Sequence, residues 1–489
     1  MNLGNNQADQ EIATGLFIDG RAISVPAMLE INDPARPGVV VGHAAAATEE
    51  HVRLAVVSAR AAFPKWAALS AAERAQLMKD AISGLDAERD EIAVVLTREI
   101  GKTLHESWVD ALVFETRWNL ALRYAEQVEA TTYLEPEDAI SVRTEVSYQP
   151  LGVVSIIVPF NWPLAILAAS LPQALLAGNS VIVKPPVSAP LATTMFVQKI
   201  AEKLPAGVLN IVTGSDSAMS EVITEVEKVC FTGGVESGKK IAEIASKSLT
   251  RTTLELGGND PALILDDAIL DDKHLDRLFS SLMDSTGQIC MNVKRIYVQS
   301  SRLDELVKGL TERLENVVLG HGLNAETTHG PLHSKRQREY VLQLIEDARA
   351  NGADVFEFGS LPDAAELRDG YFVKPALVIT TDQNLRAVQE EQFGPIIVVV
   401  PVDDEDRAVE LANDSWAGLG ASVWSADVER AQRIAKRIVA GYVWINDHGA
   451  PRLDLRAPFG GMKSSGWGRE QGIEGLRAFQ DTKAIAVGE

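Results

Sequence analysis

The chain has 489 residues, too many for one core, so two or three domains are expected. Hydrophobic residues make up 46% and charged residues 23%, an ordinary globular composition, while the net charge of -22 makes phosphate backbones and anionic membrane surfaces poor partners. Two cysteines support neither a disulfide framework nor a structural zinc site, and no metal is expected.

In chain order, "MNLGNNQADQE" lacks the basic and apolar segments of a signal peptide, so a cytoplasmic location is expected. Residues 48–128 read as mostly helix, with Ser70 and Glu73 forming a capping box ahead of "RAQLMKDAISGL". No residue from Val146 to Val183 is charged. That run is long enough to span a bilayer, but Pro159, Pro163 and Pro172 would break the continuous helix a bilayer demands. It reads better as strand ("GVVSIIV"), loop ("PFNWPL"), helix ("AILAASLPQALLAG") and strand ("SVIVK"), a βαβ unit whose strands are buried on both faces. "GVLNIVTG", ending in Gly214, "KVCFTGG" and "RTTLELGG" are further strands, alternating with helices over "SAMSEVITE" and "VESGKKIAEIASKS". This alternation marks a doubly wound sheet, which takes ligands at the carboxyl ends of its strands. After Cys290 the pattern resumes with strands at "RIYVQ", "PALVI", "IIVVVPV", "ASVWS" and "GYVWIN". Helices are expected over "RLDELVKGLTERLENV", "KRQREYVLQLIEDARANG" and "DVERAQRIAKRIVAG", the last closing on Lys, Arg and then Gly441.

There is no H-E-x-x-H and no G-x-S-x-G, so zinc-protease and serine-hydrolase chemistry lack their main support. "GGVESGKK" nearly matches a P-loop, but Lys240 stands where magnesium binding needs a hydroxyl. Nucleotide hydrolysis is therefore rejected, although a glycine-rich strand-to-helix turn still offers N–H groups to a phosphate. Of the two thiols, Cys230 lies inside a strand and reads as core, whereas Cys290 lies in "STGQICMN", outside any strong helix or strand pattern.

"PFNWPL", "ALLAGNSVIVKPP", "FTGGVESGKKI", "LELGGNDPALIL", "GQIC", "EEQFGPI" and "PFGGMKSSGWGRE" together resemble the aldehyde dehydrogenase superfamily, in its order and approximate spacing, from about residue 20 to the C-terminus. The NAD(P)-dependent, acid-forming branch is the most similar. The resemblance implies two doubly wound α/β domains, a Rossmann-like cofactor domain (1–128 and 148–254) and a catalytic domain (255–470). A small β oligomerisation element (129–147 and 471–489) would complete a homodimer or homotetramer. It makes Cys290 the nucleophile that adds to the aldehyde carbon, a task suited to a thiolate because sulfur later leaves from a thioester. Asn161 would donate to the oxyanion beside the Cys290 backbone N–H, and Glu255 would be the base for thioester hydrolysis. A glutamate ending an apolar strand is otherwise hard to explain, because burying an unpaired carboxylate is costly.

For NAD the resemblance implies Lys184 at the adenosine ribose, Glu391 at the nicotinamide ribose and Phe393 beside the ring. Gly233, Gly234 and Gly238 would surround the pyrophosphate, with Phe160, Val187, Gly214, Phe231 and Leu256 completing the cofactor-binding set. The pattern is broken in three places. Val187 replaces a frequent ribose-binding Glu, which leaves NADP permitted. Gly234 replaces a Ser, and Asp284 and Ser285 replace an aromatic residue and an Asn. Asp284 is placed at the substrate mouth. Phe114 and Trp118, at i, i+4 on one helix, are candidates for the entry tunnel, and His448, Arg452 and Arg456 for a charged mouth that would suit a carboxylate-bearing aldehyde. Two other classes remain open: a coenzyme A-acylating relative, disfavoured by Glu255, and a non-catalytic binding protein, disfavoured by the intact Cys290, Asn161 and Glu255.

Overall fold

The computed structural model describes residues 10–138, 140 and 142–488. The opening segment read against a signal peptide lies, up to residue 9, outside them. Among the described residues no helix is long and apolar enough to cross a membrane.

The uncharged run folds as a βαβ unit: strand Val153–Ile157, helix Pro163–Leu176 and strand Ser180–Lys184. Pro163 opens the helix, where its missing N–H has no partner to lose. Leu164, Leu167, Leu171 and Leu175 are all fully buried, and burial of each contributes roughly 1.5–3 kcal/mol. This helix packs along Leu104–Leu122, which explains why its sequence is apolar on every side. That neighbour starts at a capping box between Thr103 and Glu106, as Ala71–Ala81 does at Ser70 and Glu73.

Both strands belong to an eight-stranded sheet. From Val153–Ile157 the chain winds outward through Ser180–Lys184 to Leu209–Ile211, then returns to lay Lys228–Thr232 and Arg251–Glu255 on the other side, all five strands parallel. The winding therefore reverses between Val153–Ile157 and Lys228–Thr232, where such sheets open a crevice at their carboxyl ends. Leu16–Ile18 extends one edge, and Gly466–Trp467 pairs antiparallel with Arg251–Glu255 at the other. Gly466–Trp467 thus carries a late segment of the chain onto the first sheet. The short strands before residue 48 had no counterpart in the sequence reading; three-residue strands such as Leu16–Ile18 are too short to display a period.

A seven-stranded sheet forms the second layer, including Asp260–Ile264, Val293–Gln299, Ile396–Val402, Gly420–Trp424 and Tyr442–Ile445 in parallel. The helix expected up to Gly441 is a correction: it spans only Val428–Ala435. Gly441 is no helix cap, for a Cβ there would lie 1.7 Å from the Gly460 carbonyl oxygen, so its glycine serves a close backbone approach. Gln480–Gly488, Val142–Pro150 and Thr132–Leu134 form a separate antiparallel sheet with Gln480–Gly488 at its edge. Ile485 and Val487 on that edge strand are exposed.

Candidate active site

A cavity of about 280 Å³ opens between the sheets and is lined by Cys290, Asn161 and Glu255 together. These residues are 35 or more positions apart in sequence, and each arrives on a different element. Asn161 comes from the loop that follows Val153–Ile157, Glu255 ends Arg251–Glu255, and Cys290 sits on the turn before Val293–Gln299. Val109, Val113, Ile166, Ile289, Leu453 and Phe459 make much of the remaining wall apolar.

The thiol turn is held from several sides. Ser285, Thr286 and Gly287 all have positive φ, and a β-branched Thr in that region is uncommon and strained. The strained backbone is tied down by hydrogen bonds. The Ser285 N–H donates to Glu106 Oε1 (2.6 Å), the Thr286 hydroxyl to the Gly330 carbonyl (3.0 Å), and Trp162 Nε1 to Ser285 Oγ (2.9 Å). Gly287 is required, since a Cβ there would lie 2.2 Å from the Gly394 carbonyl oxygen. Asn161 Nδ2 donates to the Gln288 carbonyl (2.9 Å), which fixes the amide beside the turn. Burial, reinforced by the Glu391 carboxylate, pushes the Cys290 thiol up to about 12, and Lys294 pulls in the other direction.

Glu255 is 4% exposed and neither carboxylate oxygen meets a side-chain hydrogen-bond donor. Burial first, then the neighbouring Glu470, hold its carboxyl well above the usual range, opposed by Arg469 and the Gly461 N–H. Glu470 also lines the cavity and accepts a bond from Ser170 Oγ (2.8 Å). The sequence reading assigned Glu470 no role, although it closes the quoted "PFGGMKSSGWGRE". Asp284 lines the cavity as well, and burial raises its carboxyl to about 7.

None of the cofactor-binding candidates lines this cavity; they gather at strand ends around it. Phe160 and Lys184 follow or end the two strands of the βαβ unit, Val187 lies half-buried just beyond, and Gly214 packs against Ala47. Gly234 caps helix Val235–Ser246 without a side-chain bond, and a Cβ there would meet nothing within 4 Å, which leaves open space at the helix N-terminus. Phe231 lies against Gly233 and Leu256 against Gly238. Glu391 accepts from the Gly258 N–H (3.2 Å), and Gly257 leaves room for its carboxylate, since a Cβ there would meet Glu391 Oε2 at 2.2 Å. Phe393, held at φ 46°, meets the Phe160 ring edge-on. His333, unnoticed in the sequence, stacks on Phe160 at 4.0 Å and is driven down to about 4 by burial.

The tunnel and mouth candidates need correction. Phe114 and Trp118 are fully buried and stack on one another at 5.6 Å, away from the cavity. Val109, Val113 and Arg117 line it instead, one position back on the same helix and so rotated by about 100°. His448 is 2% exposed and donates to the Met291 carbonyl (2.8 Å) beneath the thiol turn. Arg452 and Arg456 do not line the cavity and are paired with Asp447 and Asp454. The charged mouth expected for a carboxylate-bearing aldehyde is therefore not formed by these residues.

A thiol, an amide and a buried carboxylate meet around one apolar cavity, on a doubly wound sheet with an open helix N-terminus, an arrangement that suits an oxidoreductase acting on aldehydes. The aldehyde dehydrogenase family model matches residues 23–485, and the chain belongs to that family. It is 34% identical to the betaine aldehyde dehydrogenase of Bacillus subtilis (strain 168) over 483 residues, 96% of each chain. It also resembles the betaine aldehyde dehydrogenase of Staphylococcus aureus solved in complex with NAD+, with a TM-score of 0.92, 32% identity, and 100% of this chain and 98% of that one covered. An NAD-dependent aldehyde dehydrogenase from Sinorhizobium meliloti superposes with a TM-score of 0.93 at 30% identity, covering 99% of this chain and 96% of that one.

Proposed function

We propose that the chain oxidises an aldehyde to a carboxylic acid with NAD, through a thiohemiacetal and a thioester on Cys290. The gathering of Cys290, Asn161 and Glu255 around one cavity carries this reading. The Cys290 thiolate adds to the aldehyde carbon, and the oxygen that becomes an oxyanion is met by Asn161 Nδ2 and the Cys290 N–H. Such donors contribute on the order of 3 kcal/mol each. Collapse of the oxyanion breaks the C–H bond, expels hydride and leaves a thioester. Glu255 then takes a proton from water as the water attacks, the C–S bond breaks, and acid and thiolate part. A buried carboxylate that no side-chain donor holds suits a base whose partner is a transient water.

NAD, when bound, supplies the hydride acceptor. The residues present fit it: open space at Gly234 above a helix N-terminus suits a pyrophosphate, with Gly233 and Gly238 keeping the turn narrow. Lys184 would hold the adenosine ribose and Glu391 the nicotinamide ribose, with Phe160 and Phe393 at the ring and Val187, Gly214, Phe231 and Leu256 completing the site. With Val187 in place of a carboxylate, NADP is also accepted, less well than NAD. The chain would divide into a cofactor domain (1–128 and 148–254), a catalytic domain (255–470) and a small oligomerisation element (129–147 and 471–489), a reading that the two large sheets and the separate small one support. The exposed edge strand Gln480–Gly488 would pair with a second copy, giving a homodimer or homotetramer.

The favoured substrate is a neutral aldehyde with an apolar tail. A trimethylammonium group is recognised by open aromatic faces. Here Trp162 and Phe459 are the aromatic wall residues, and Lys102 already sits over the Trp162 ring at 4.2 Å. The test is NAD reduction with benzaldehyde, hexanal, succinic semialdehyde and betaine aldehyde, each with and without coenzyme A. Acid formation independent of coenzyme A, with kcat/KM highest for the apolar pair, is expected. A strict need for coenzyme A would overturn the hydrolytic step.

A further inference from the structure

Four carbonyl groups of the thiol turn are drawn away by side-chain donors. Asn161 takes that of Gln288, His448 that of Met291, and Lys294 those of Ile289 (2.6 Å) and Asn292 (3.1 Å). Lys294 is the second residue of strand Val293–Gln299 and is 2% exposed, an unusual burial for a lysine. A buried ammonium bonded to two carbonyl oxygens, with carboxylates nearby, retains its charge far better than one left in an apolar site.

The Ile289 carbonyl belongs to the same peptide group as the Cys290 N–H. In a trans peptide, C=O and N–H point in opposite directions, so an ammonium pulling on that oxygen turns the Cys290 N–H away from itself. That N–H donates to no acceptor among the described residues. A cation on the carbonyl also withdraws electron density through the peptide and strengthens the N–H as a donor. We propose that Lys294 is the positioning residue of the nucleophile: its ammonium orients and polarises the Ile289–Cys290 peptide toward the reacting oxygen, and it places a positive charge behind the thiolate. The proposal rests on Cys290 being the nucleophile.

The charges around the thiol explain why such a cation is needed. Glu391, Asp260 and Glu255 all oppose a thiolate at Cys290, and Lys294 opposes them. Arg117 also senses the Cys290 charge. Lys294 itself faces Glu391, Asp260 and Cys290, and burial lowers its own affinity for the proton while these anions restore it. His448, 3.6 Å from Asp260, is a further titratable neighbour.

The experiment compares Lys294→Met, Lys294→Gln and Lys294→Arg with the parent and with Cys290→Ala, each checked by thermal melting. Two readouts are taken: the pH profile of iodoacetamide alkylation at Cys290, and the pre-steady-state NADH burst with benzaldehyde. Lys294→Met should slow the burst by about 10- to 100-fold, part of the loss that follows removal of a whole oxyanion donor. It should also slow alkylation by about 10-fold at each pH on the rising limb, a shift of that limb to higher pH, with KM for NAD within about two-fold. Lys294→Gln, which keeps a donor without the charge, should shift the alkylation limb likewise, and Lys294→Arg should restore it. If Lys294→Met does not fold, the Gln and Arg variants decide, and identical alkylation profiles for those two would overturn the proposal. So would a Lys294→Met protein with the parent's burst and alkylation profile. Full activity in Cys290→Ala would instead overturn the underlying mechanism.

Discussion

Cys230 and Cys290 are the chain's two thiols, and burial raises both, to about 11 and about 12. Cys230 lies in the middle of Lys228–Thr232, its backbone committed to neighbouring strands on both sides. Cys290 lies on a turn whose carbonyls are held by side chains, with its own N–H left over and its side chain at a cavity wall. Burial therefore does not separate a structural thiol from a nucleophile here. The difference lies in the backbone: a strand spends its N–H groups on the sheet, whereas a strained and tethered turn keeps one for the reaction.

The strongest way to break this comparison is to remove each sulfur in turn. Cys290→Ala should lose aldehyde oxidation to background, while NAD still protects the protein against thermal unfolding, because the cofactor candidates sit apart from the cavity. Oxidation at parental rates in Cys290→Ala, followed by NADH absorbance, would end the thiol mechanism.

Glu255 is the next largest effect. Glu255→Gln should keep the NADH burst and slow steady turnover by about 100- to 10,000-fold, because water activation follows hydride departure. The carboxyl must be ionised to act, and burial and Glu470 hold it well above the ordinary range. Turnover of the parent should thus fall as pH drops through the raised range of this carboxyl, well above the pH at which an ordinary glutamate protonates. In Glu255→Gln the carboxyl's share of that fall should vanish from kcat. Loss of the burst as well would place Glu255 before hydride transfer, as the group that activates the thiol.

These regions were unequally legible in the sequence. Around Cys230 the parallel strands are buried on both faces, so unbroken apolar runs announced them and the core reading of the thiol followed. The position of Cys290 was legible from "GQIC", but nothing in the turn announced that Lys294 and His448 hold it, because those contacts depend on the backbone path rather than on residue pattern. Helix Leu104–Leu122 misled for a related reason. It is packed on more than one side, so Phe114 and Trp118 and the pair Val109 and Val113 form competing apolar stripes, and only the packing of Pro163–Leu176 decides which faces the cavity. Glu470 lies 215 positions from Glu255, a distance no local period spans.

A smaller effect sharpens the cofactor side. Val187→Glu places a carboxylate beyond Lys184, where it would accept from a ribose hydroxyl and repel a 2′-phosphate. The ratio of kcat/KM for NAD over NADP should rise by an amount equivalent to about 1–3 kcal/mol, the scale of one charge-assisted hydrogen bond. The alkylation profile of Cys290 should not move, since the change lies outside the thiol turn. Strong exclusion of NADP by the parent would mean that another carboxylate already reaches the ribose.

The smallest expected effect tests the quieter thiol. Cys230 is 2% exposed, and Ser170, Thr253 and Lys228 lie near enough to influence its sulfur. Ser170 in turn holds Glu470, which acts on Glu255, so a path of contacts does run from Cys230 to the proposed base. Cys230→Ala removes one buried sulfur and leaves the strand's hydrogen bonds in place. A loss of about 1 kcal/mol in unfolding free energy is expected, the usual size for a single core substitution, with turnover and its pH profile unchanged within about two-fold. Ser170 can keep its bond to Glu470 without the sulfur, which is why the contact path should carry little energy. Chemical denaturation and the kcat–pH profile measure the two halves of this expectation separately. A Cys230→Ala protein of parental stability whose rising limb had moved would show that this thiol tunes the carboxylate pair, and the division between a structural and a reactive cysteine would then have to be abandoned.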